Sequence, residues 1–307
     1  MDRLVVMFGG SGFVGRYIAQ ALLAQGVRVR FAERDPRRAW FLKPQGNLGQ
    51  TQFVAADVTK PASVAQAVRG ADAVINLVGV LQGAFDKIHL QGARAVAEAA
   101  AAAGVPTLVH VSAIGADAGS PSAYGRSKGL GEAAVRQAFP AAVILRPSIV
   151  FGREDQFINR FAALIRMLPL LPVIRGATKF QPVYVGDVAQ AAVKALLEPA
   201  AHAGKTYELG GPQVLTMAEL NAWIAAETGR SPMMLPVPDA LAKVMARLPG
   251  GPMTHDQWLM LQRDNVVAPD ATGLGALGVT PTPLAAVAPG WLVQYRRHGR
   301  FGAPNAA

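Results

Sequence analysis

The residues with the plainest chemistry in this chain are a tyrosine and a lysine four apart, in Tyr124-Gly125-Arg126-Ser127-Lys128. That spacing puts both side chains on one helix face. An ammonium beside a phenol lowers the phenol's pKa, and such a tyrosine exchanges a proton with a carbonyl or alcohol. The same lysine can hold a ribose hydroxyl. A second constellation is made of glycines. The apolar run Val5–Phe8 leads straight into Gly9-x-x-Gly12-x-x-Gly15, and Phe13, Val14, Ile18, Ala21, Leu22 and Leu23 follow at helical spacing. Strand, tight turn and helix in that order make a pyrophosphate site. Gly9 turns the chain, Gly12 lets backbone N–H groups approach the ligand, and Gly15 lets the helix sit close on the sheet. Gly10 to Gly15 also has P-loop spacing. The Lys and Ser/Thr that a P-loop needs next are here Arg16 and Tyr17, so that reading is rejected.

These residues need a scaffold, and the rest of the N-terminal half spells one. Val27–Ala32 reads as a second strand, ending in Glu33-Arg34-Asp35. An acid there binds ribose hydroxyls, whereas arginine accommodates a 2′-phosphate. With Arg34 followed by Arg37 and Arg38, the charge-assisted hydrogen bonds favour NADPH over NADH. The alternative is that Glu33 pairs with Arg34 or Arg37 and decides nothing. Gln52–Ala56 is a third strand, and Asp57 after it either accepts from the adenine amino group or caps a helix over Pro61–Val68. Ala73–Val78 is a fourth strand closing on Gly79, Ala84–Ala103 a long alanine-rich helix, Thr107–Ser112 a fifth strand and Ala141–Arg146 a sixth. The alternation predicts an α/β fold, a Rossmann-type doubly wound parallel sheet.

Composition narrows the classes. Of 307 residues 51% are hydrophobic, enough for a large core, and there is no cysteine, which excludes disulfides, thiolate catalysis and Cys-ligated metals. The five histidines never fall into metal-ligand spacing, so no metal is expected. The net charge of +10 asks for an anionic partner. Part of it sits at Arg28, Arg30, Arg34, Arg37 and Arg38, part at Arg296, Arg297 and Arg300. No nucleic-acid-binding motif accompanies these charges; a cofactor, a lipid surface or an acidic protein explains them. The first strand is entered by Leu4, leaving no room for a targeting peptide, and no apolar stretch is long enough to span a bilayer. A cytoplasmic protein, peripheral if it meets a membrane, is expected.

Beyond Gly152 the alternation stops, and a smaller, mainly helical lobe is expected. The domain reading is 1–152 with 181–198 returning to it, and 153–180 with 199–307 as lobe and tail. Gln156–Met167 reads as helix, and Gln181–Val188 leads into a helix to Leu197. Thr216-x-x-Glu219 and Thr254-x-x-Gln257 are capping boxes, and Thr282-Pro283 reads as N-cap and first residue of a last short helix. Pro238–Leu248 is amphipathic; core packing is the commoner fate of its apolar side, a membrane or partner face the sharper one.

Taken together, these marks resemble the extended or atypical short-chain dehydrogenase/reductase superfamily. Within it, Phe8–Tyr17, Gly46–Gln50, Val74–Gly79, Phe151–Phe161 and Gln181–Val185 are similar to the accessory subunit of respiratory complex I (NADH:ubiquinone oxidoreductase) built on that fold, in a bacterial form. The resemblance implies a tightly held NADPH, docking beside other complex I subunits of the peripheral arm near the membrane, and a role in assembly or stability without turnover. It implies a cofactor-binding set of Gly9, Gly12, Phe13, Val14, Gly15 and Arg16, then Arg34, Asp57 and Val58. Leu77, Val78, Gly79, Ser112, Tyr124, Lys128, Pro147 and Ile149 complete it. Tyr124 and Lys128 would anchor the nicotinamide ribose, and Arg16 and Arg34 the 2′-phosphate.

No catalytic residue is assigned, because the positions after Ser112 where the superfamily keeps its catalytic hydroxyl hold Ala113 and Ile114. A carbonyl polarised by Tyr124 alone lacks its second donor. Two alternatives stay open: an NAD(P)-dependent reductase or epimerase using Tyr124 and Lys128, and a sensor of the NADP pool with exchangeable cofactor.

Overall fold

In the computed structural model, which describes residues 3–248 and 253–301, the glycine turn follows the strand β1 (Leu4–Phe8), buried at every residue. Such uniform burial suits a strand covered on both faces. Full burial of a Val, Leu, Met or Phe side chain contributes about 1.5–3 kcal/mol, which offsets the entropy of ordering the strand. Around β1 run α1 (Phe13–Ala24), β2 (Arg28–Glu33), β3 (Thr51–Ala55), α2 (Pro61–Val68) and β4 (Ala73–Asn76). Then come α3 (Ala93–Ala102), β5 (Leu108–Val111), α4 (Ala123–Ala138) and β6 (Val143–Pro147). A seven-stranded parallel sheet results, ordered β3, β2, β1, β4, β5, β6 and finally Thr206–Leu209.

The direction of winding reverses between β1 and β4, the kind of switch point where ligands bind in doubly wound sheets. Helix α1 packs with the helix Val185–Leu197, while α2, α3 and α4 pack in a row. Val6, Phe8, Val74 and Ile144 from the strands meet Val64, Val96 and Val135 from α2, α3 and α4 in one core. The fold class is the doubly wound Rossmann type, as expected.

Contacts divide the chain into two compact units. The first holds residues up to Pro147, then Val185–Leu209 and Ala268–Thr280; the second holds Ser148–Tyr184, Gly210–Val267 and the chain from Pro281 onward. Residues 249–252 and, in the expected tail, 302–307 lie outside the described residues.

Strand ends differ from expectation by one or two residues. Other differences follow. The expected helix over 84–103 opens as a π-helical turn, Asp86–Gly92, before α3. The seventh strand, Thr206–Leu209, joins the sheet beside β6 with Arg146 in register with Glu208. And the short helix expected at Thr282-Pro283 starts at Leu284, with Pro283 as its cap because Pro283 keeps an extended ψ of 145°, and a further short helix, Pro289–Leu292, follows it.

Within the second unit both capping boxes form, Thr216 with Glu219 and Thr254 with Gln257. Phe151, Ile158, Ile165, Leu171, Leu220, Ile224 and Leu292 pack as its core. Two strands not anticipated, Leu170–Ile174 and Met233–Val237, pair in parallel as a ribbon. Helix Asp239–Met245 buries Ala242 and leaves Leu241 and Val244 exposed. The commoner fate, core packing of that apolar stripe, is not the one observed: the small residues Ala242 and Ala246 face inward and the large ones outward.

Candidate functional site

Because all seven strands run in parallel, the residues that follow their carboxyl ends share one edge of the sheet. Gly9, Arg34, Asp57, Leu77, Ser112 and Pro147 follow or close β1 to β6 in turn. Gly9 adopts φ +80°, and a Cβ there would come to 3.3 Å from the carbonyl carbon of Leu77 and from Val78 N. The glycine turn and the Leu77–Gly79 loop therefore touch at the winding switch.

Gly12 caps α1 in extended backbone with no side-chain cap. Its helix thus presents first-turn N–H groups to an anion, with Phe13 and Val14 half-buried behind. At Gly15 a Cβ would lie 2.6 Å from the carbonyl oxygens of both Gly9 and Gly10. These are the properties of a phosphate cradle that only glycine permits.

The charges beside it are arranged more specifically than the sequence suggests. Ser11 N–H donates to Glu33 Oε1 at 2.7 Å, so Glu33 is tied to the glycine turn rather than to an arginine. Arg37 makes a two-pronged pair with Asp35, Nε to Oδ1 at 2.8 Å and Nη2 to Oδ2 at 2.9 Å. These bonds hold the Asp35 carboxyl below its ordinary range. The Arg16 guanidinium lies over the Phe41 ring at 5.0 Å, close to its own turn, and Arg34 is exposed at the end of β2. The alternative, Glu33 paired with Arg34 or Arg37, is not the arrangement found.

Asp57 does not cap α2. Lys60 holds the cap position. Instead Asp57 Oδ1 accepts from Thr59 N at 2.9 Å and Oγ1 at 2.8 Å, which lowers its pKa. The local turn wins because Thr59 is two residues away, the reach of an Asx turn. Val58 is buried, with a Cβ at Gly92 only 2.8 Å from its methyl group. Ile149 belongs to the second unit, where its carbonyl accepts from Val183 N.

Under the loop after β4 lies a set of buried polar side chains. Lys128 Nζ donates to Val111 O at 3.2 Å and lies 3.4 Å from where a Gly79 Cβ would be. Burial lowers its pKa to about 8, partly countered by Glu132. Tyr124 moves opposite to expectation: burial pushes its phenol up to about 12. Desolvation outweighs any help from the neighbouring ammonium, so the phenol keeps its proton. Ser112 Oγ and His110 Nε2 are buried without a hydrogen-bond partner among the described residues. Asn76 Nδ2 meets His110 Nδ1 at 3.3 Å, and burial first, then Lys128, lowers His110 to about 3.

An unpartnered buried hydroxyl costs roughly 1–3 kcal/mol unless a ligand completes it. Ser112, Tyr124 and Lys128 fit the sugar end of a dinucleotide, as the glycine cradle fits its pyrophosphate.

Asn76, His89, His110 and Ser127 were not singled out from sequence. Ser127 sits inside the Tyr-x-x-x-Lys motif, which was the one available signal. The depressed Lys128 carries a prediction. The fold favours its neutral amine, so between about 8 and the ordinary 10.5 the unfolded chain binds more protons. Stability of the nucleotide-stripped protein therefore rises with pH across that window and is lost as pH falls back through it. Lys128→Met should flatten the rise in thermal melts.

The comparisons with known proteins agree with this fold. The model of the NAD dependent epimerase/dehydratase family matches residues 5–210. The chain is 36% identical over 292 residues, 92% of its length and 77% of the relative's, to NADH dehydrogenase (ubiquinone) 1 alpha subcomplex subunit 9, mitochondrial, of Mus musculus. It is 31% identical to the NADH-ubiquinone oxidoreductase 40 kDa subunit, mitochondrial, of Neurospora crassa, covering 98% of this chain and 81% of that one. Among solved structures, the NADPH-dependent quinone oxidoreductase QOR2 of Escherichia coli complexed with NADPH shares the fold at a TM-score of 0.75 and 23% identity, over 92% of this chain and 97% of that one.

Proposed function

We propose that this chain, which belongs to the NAD dependent epimerase/dehydratase family, is an accessory subunit of NADH:ubiquinone oxidoreductase that holds NADPH and does not turn it over. The observation that carries the reading is the match, along nearly the whole chain, to subunits of that complex. The site supports it. Ala113 and Ile114 supply no second hydroxyl, and Lys128 is sunk where it can anchor a ribose. The bound dinucleotide would supply hydride chemistry; what these residues do is bind and orient it.

NADPH is favoured over NADH because Glu33 is engaged by Ser11 N–H, while Arg16 and exposed Arg34 flank the turn. Phe13, Val14, Val58, Val78 and Pro147 would line the remaining contacts.

Among the described residues no helix is long and apolar enough to cross a membrane. Attachment would be peripheral, on the cytoplasmic side of the inner membrane, beside other subunits of the peripheral arm. The second unit supports a membrane-proximal position. The outward residues of its ribbon, Leu170, Pro172, Met233 and Leu235, are all apolar, and Leu241 and Val244 are exposed on the helix that follows. Segments 166–175 and 230–248 carry Arg166, Arg175, Arg230, Lys243 and Arg247 against one acid, Asp239. Apolar area within a basic rim suits anionic lipid.

The test is gentle detergent extraction of native membranes, size fractionation and release of nucleotide by denaturation. The expected result is co-migration with the NADH:ubiquinone oxidoreductase core and NADPH near one per chain. A free monomer or dimer with exchangeable cofactor would overturn the reading. It would instead support the second one, a reductase or epimerase that keeps the Tyr124–Lys128 pair, to be tested with carbonyl substrates against Tyr124→Phe.

A further inference from the structure

The polar chain under the β4 exit loop has a fixed direction. Val80 N–H donates to His89 Nε2 at 2.9 Å. A backbone N–H can only donate, so Nε2 must carry the lone pair and the neutral ring bears its proton on Nδ1. Nδ1 lies 2.9 Å from Ser127 Oγ and donates to it. Ser127 Oγ then passes its own hydrogen to Tyr124 O at 2.8 Å. Every donor meets an acceptor, and no link can be reversed.

The ring is held on both sides as well. Phe85 stacks on it at 5.6 Å and Tyr124 meets it edge-on at 5.4 Å. His89 sits in the π-helical turn, and a Cβ at Gly131 on α4 would collide with its carbonyl oxygen. The ionisable groups around it are Lys128 and Tyr124 on α4, His110 on β5, and Asp86 and Lys87 on its own turn. Burial first, then the charge on Lys128, lowers its pKa to about 3, so the ring stays neutral at ordinary pH.

We propose that His89 is a positioning residue: through Val80 and Ser127 it fastens the Leu77–Val80 loop to the helix carrying Tyr124 and Lys128, and so sets the site for the nicotinamide half of the dinucleotide. Gly79 supports this placement. Its would-be Cβ lies 3.4 Å from Lys128 Nζ and 3.7 Å from His89 Nε2, so the loop passes directly over both groups. The inference rests on the reading that this edge of the sheet holds NADPH.

Nucleotide-stripped full-length protein, titrated with NADPH and with 2′,5′-ADP, separates the possibilities. Ser127→Ala and His89→Leu should each weaken NADPH by about tenfold or more, with 2′,5′-ADP affinity unchanged, because the adenine half lies on the β1–β2 side of the sheet. His89→Gln, whose amide oxygen can accept from Val80, should recover part of the loss. Unchanged NADPH binding in Ser127→Ala, or equal weakening of both ligands, overturns the inference, since a merely structural role predicts the latter. A wild type that binds neither ligand brings down the cofactor reading, and this inference with it.

Discussion

Gly15→Val protein should leave purification without nucleotide. Any Cβ at this position would stand 2.6 Å from the Gly9 and Gly10 carbonyl oxygens and 2.7 Å from Gly10 Cα. Those atoms are backbone, so no side chain can swing aside; either α1 moves off the sheet or the turn opens. Both outcomes displace the N–H groups that face the pyrophosphate. Loss of at least about a hundredfold in affinity, roughly 2.7 kcal/mol, is expected, read as nucleotide per chain after denaturation. Gly26→Ala is the control: Gly26 has a positive φ, which Gly15 does not, and a Cβ there meets nothing within 4 Å. That variant should lose a little stability and keep its nucleotide. Retention of NADPH near one per chain in Gly15→Val would show that the cofactor is not held by this turn.

The second large effect is expected at Arg146. Its guanidinium takes Glu132 with Nε at 2.9 Å and Nη2 at 2.6 Å, and reaches Glu208 with Nη1 at 3.4 Å. Glu208 in turn accepts from Ala268 N at 2.9 Å. One cation therefore joins α4, β6, the seventh strand and the segment from Ala268. Removing it leaves two buried carboxylates unpaired, which costs about 3–5 kcal/mol. Arg146→Met should lower the urea midpoint of the first unit accordingly. Adding Glu132→Leu and Glu208→Leu should restore most of the loss, since a packed apolar trio needs no counter-charge. A single variant as stable as the wild type would mean that solvent already screens the network.

What could be read from sequence was whatever is encoded locally. The β1 turn announces itself because the backbone near Gly9 and the contact at Gly15 both forbid side chains, and glycine spacing records that directly. Both capping boxes were legible for the same reason, as Thr216 with Glu219 and Thr254 with Gln257 complete their bonds within four residues. The seventh strand was not. Its four residues include Glu208, which is buried only because Arg146, 62 positions earlier, is there to meet it. The ribbon Leu170–Ile174 and Met233–Val237 was hidden by prolines and by apolar residues on its outer face, where a lone strand would show alternation. His89 looked like a helix residue, and its role emerges only when the π-helical turn brings it to Ser127. The acidity of Tyr124 is not legible in sequence, because desolvation is a property of the finished fold.

The division of the chain has a consequence for how the protein is made. Each unit consists of three separate segments, and the polypeptide passes from one to the other five times. A ribosome that has released residues up to Pro147 has delivered six of the seven strands but not the edge strand, nor the Ala268–Thr280 segment that engages Glu208. The sheet is thus completed only when Leu209 has emerged, and the first unit only when Thr280 has. Neither unit can be excised as one contiguous fragment, and a chain cut short after residue 209 would strand the Glu208 carboxylate without Ala268. Nascent chains of this protein therefore carry an unfinished first unit until Thr280 has emerged.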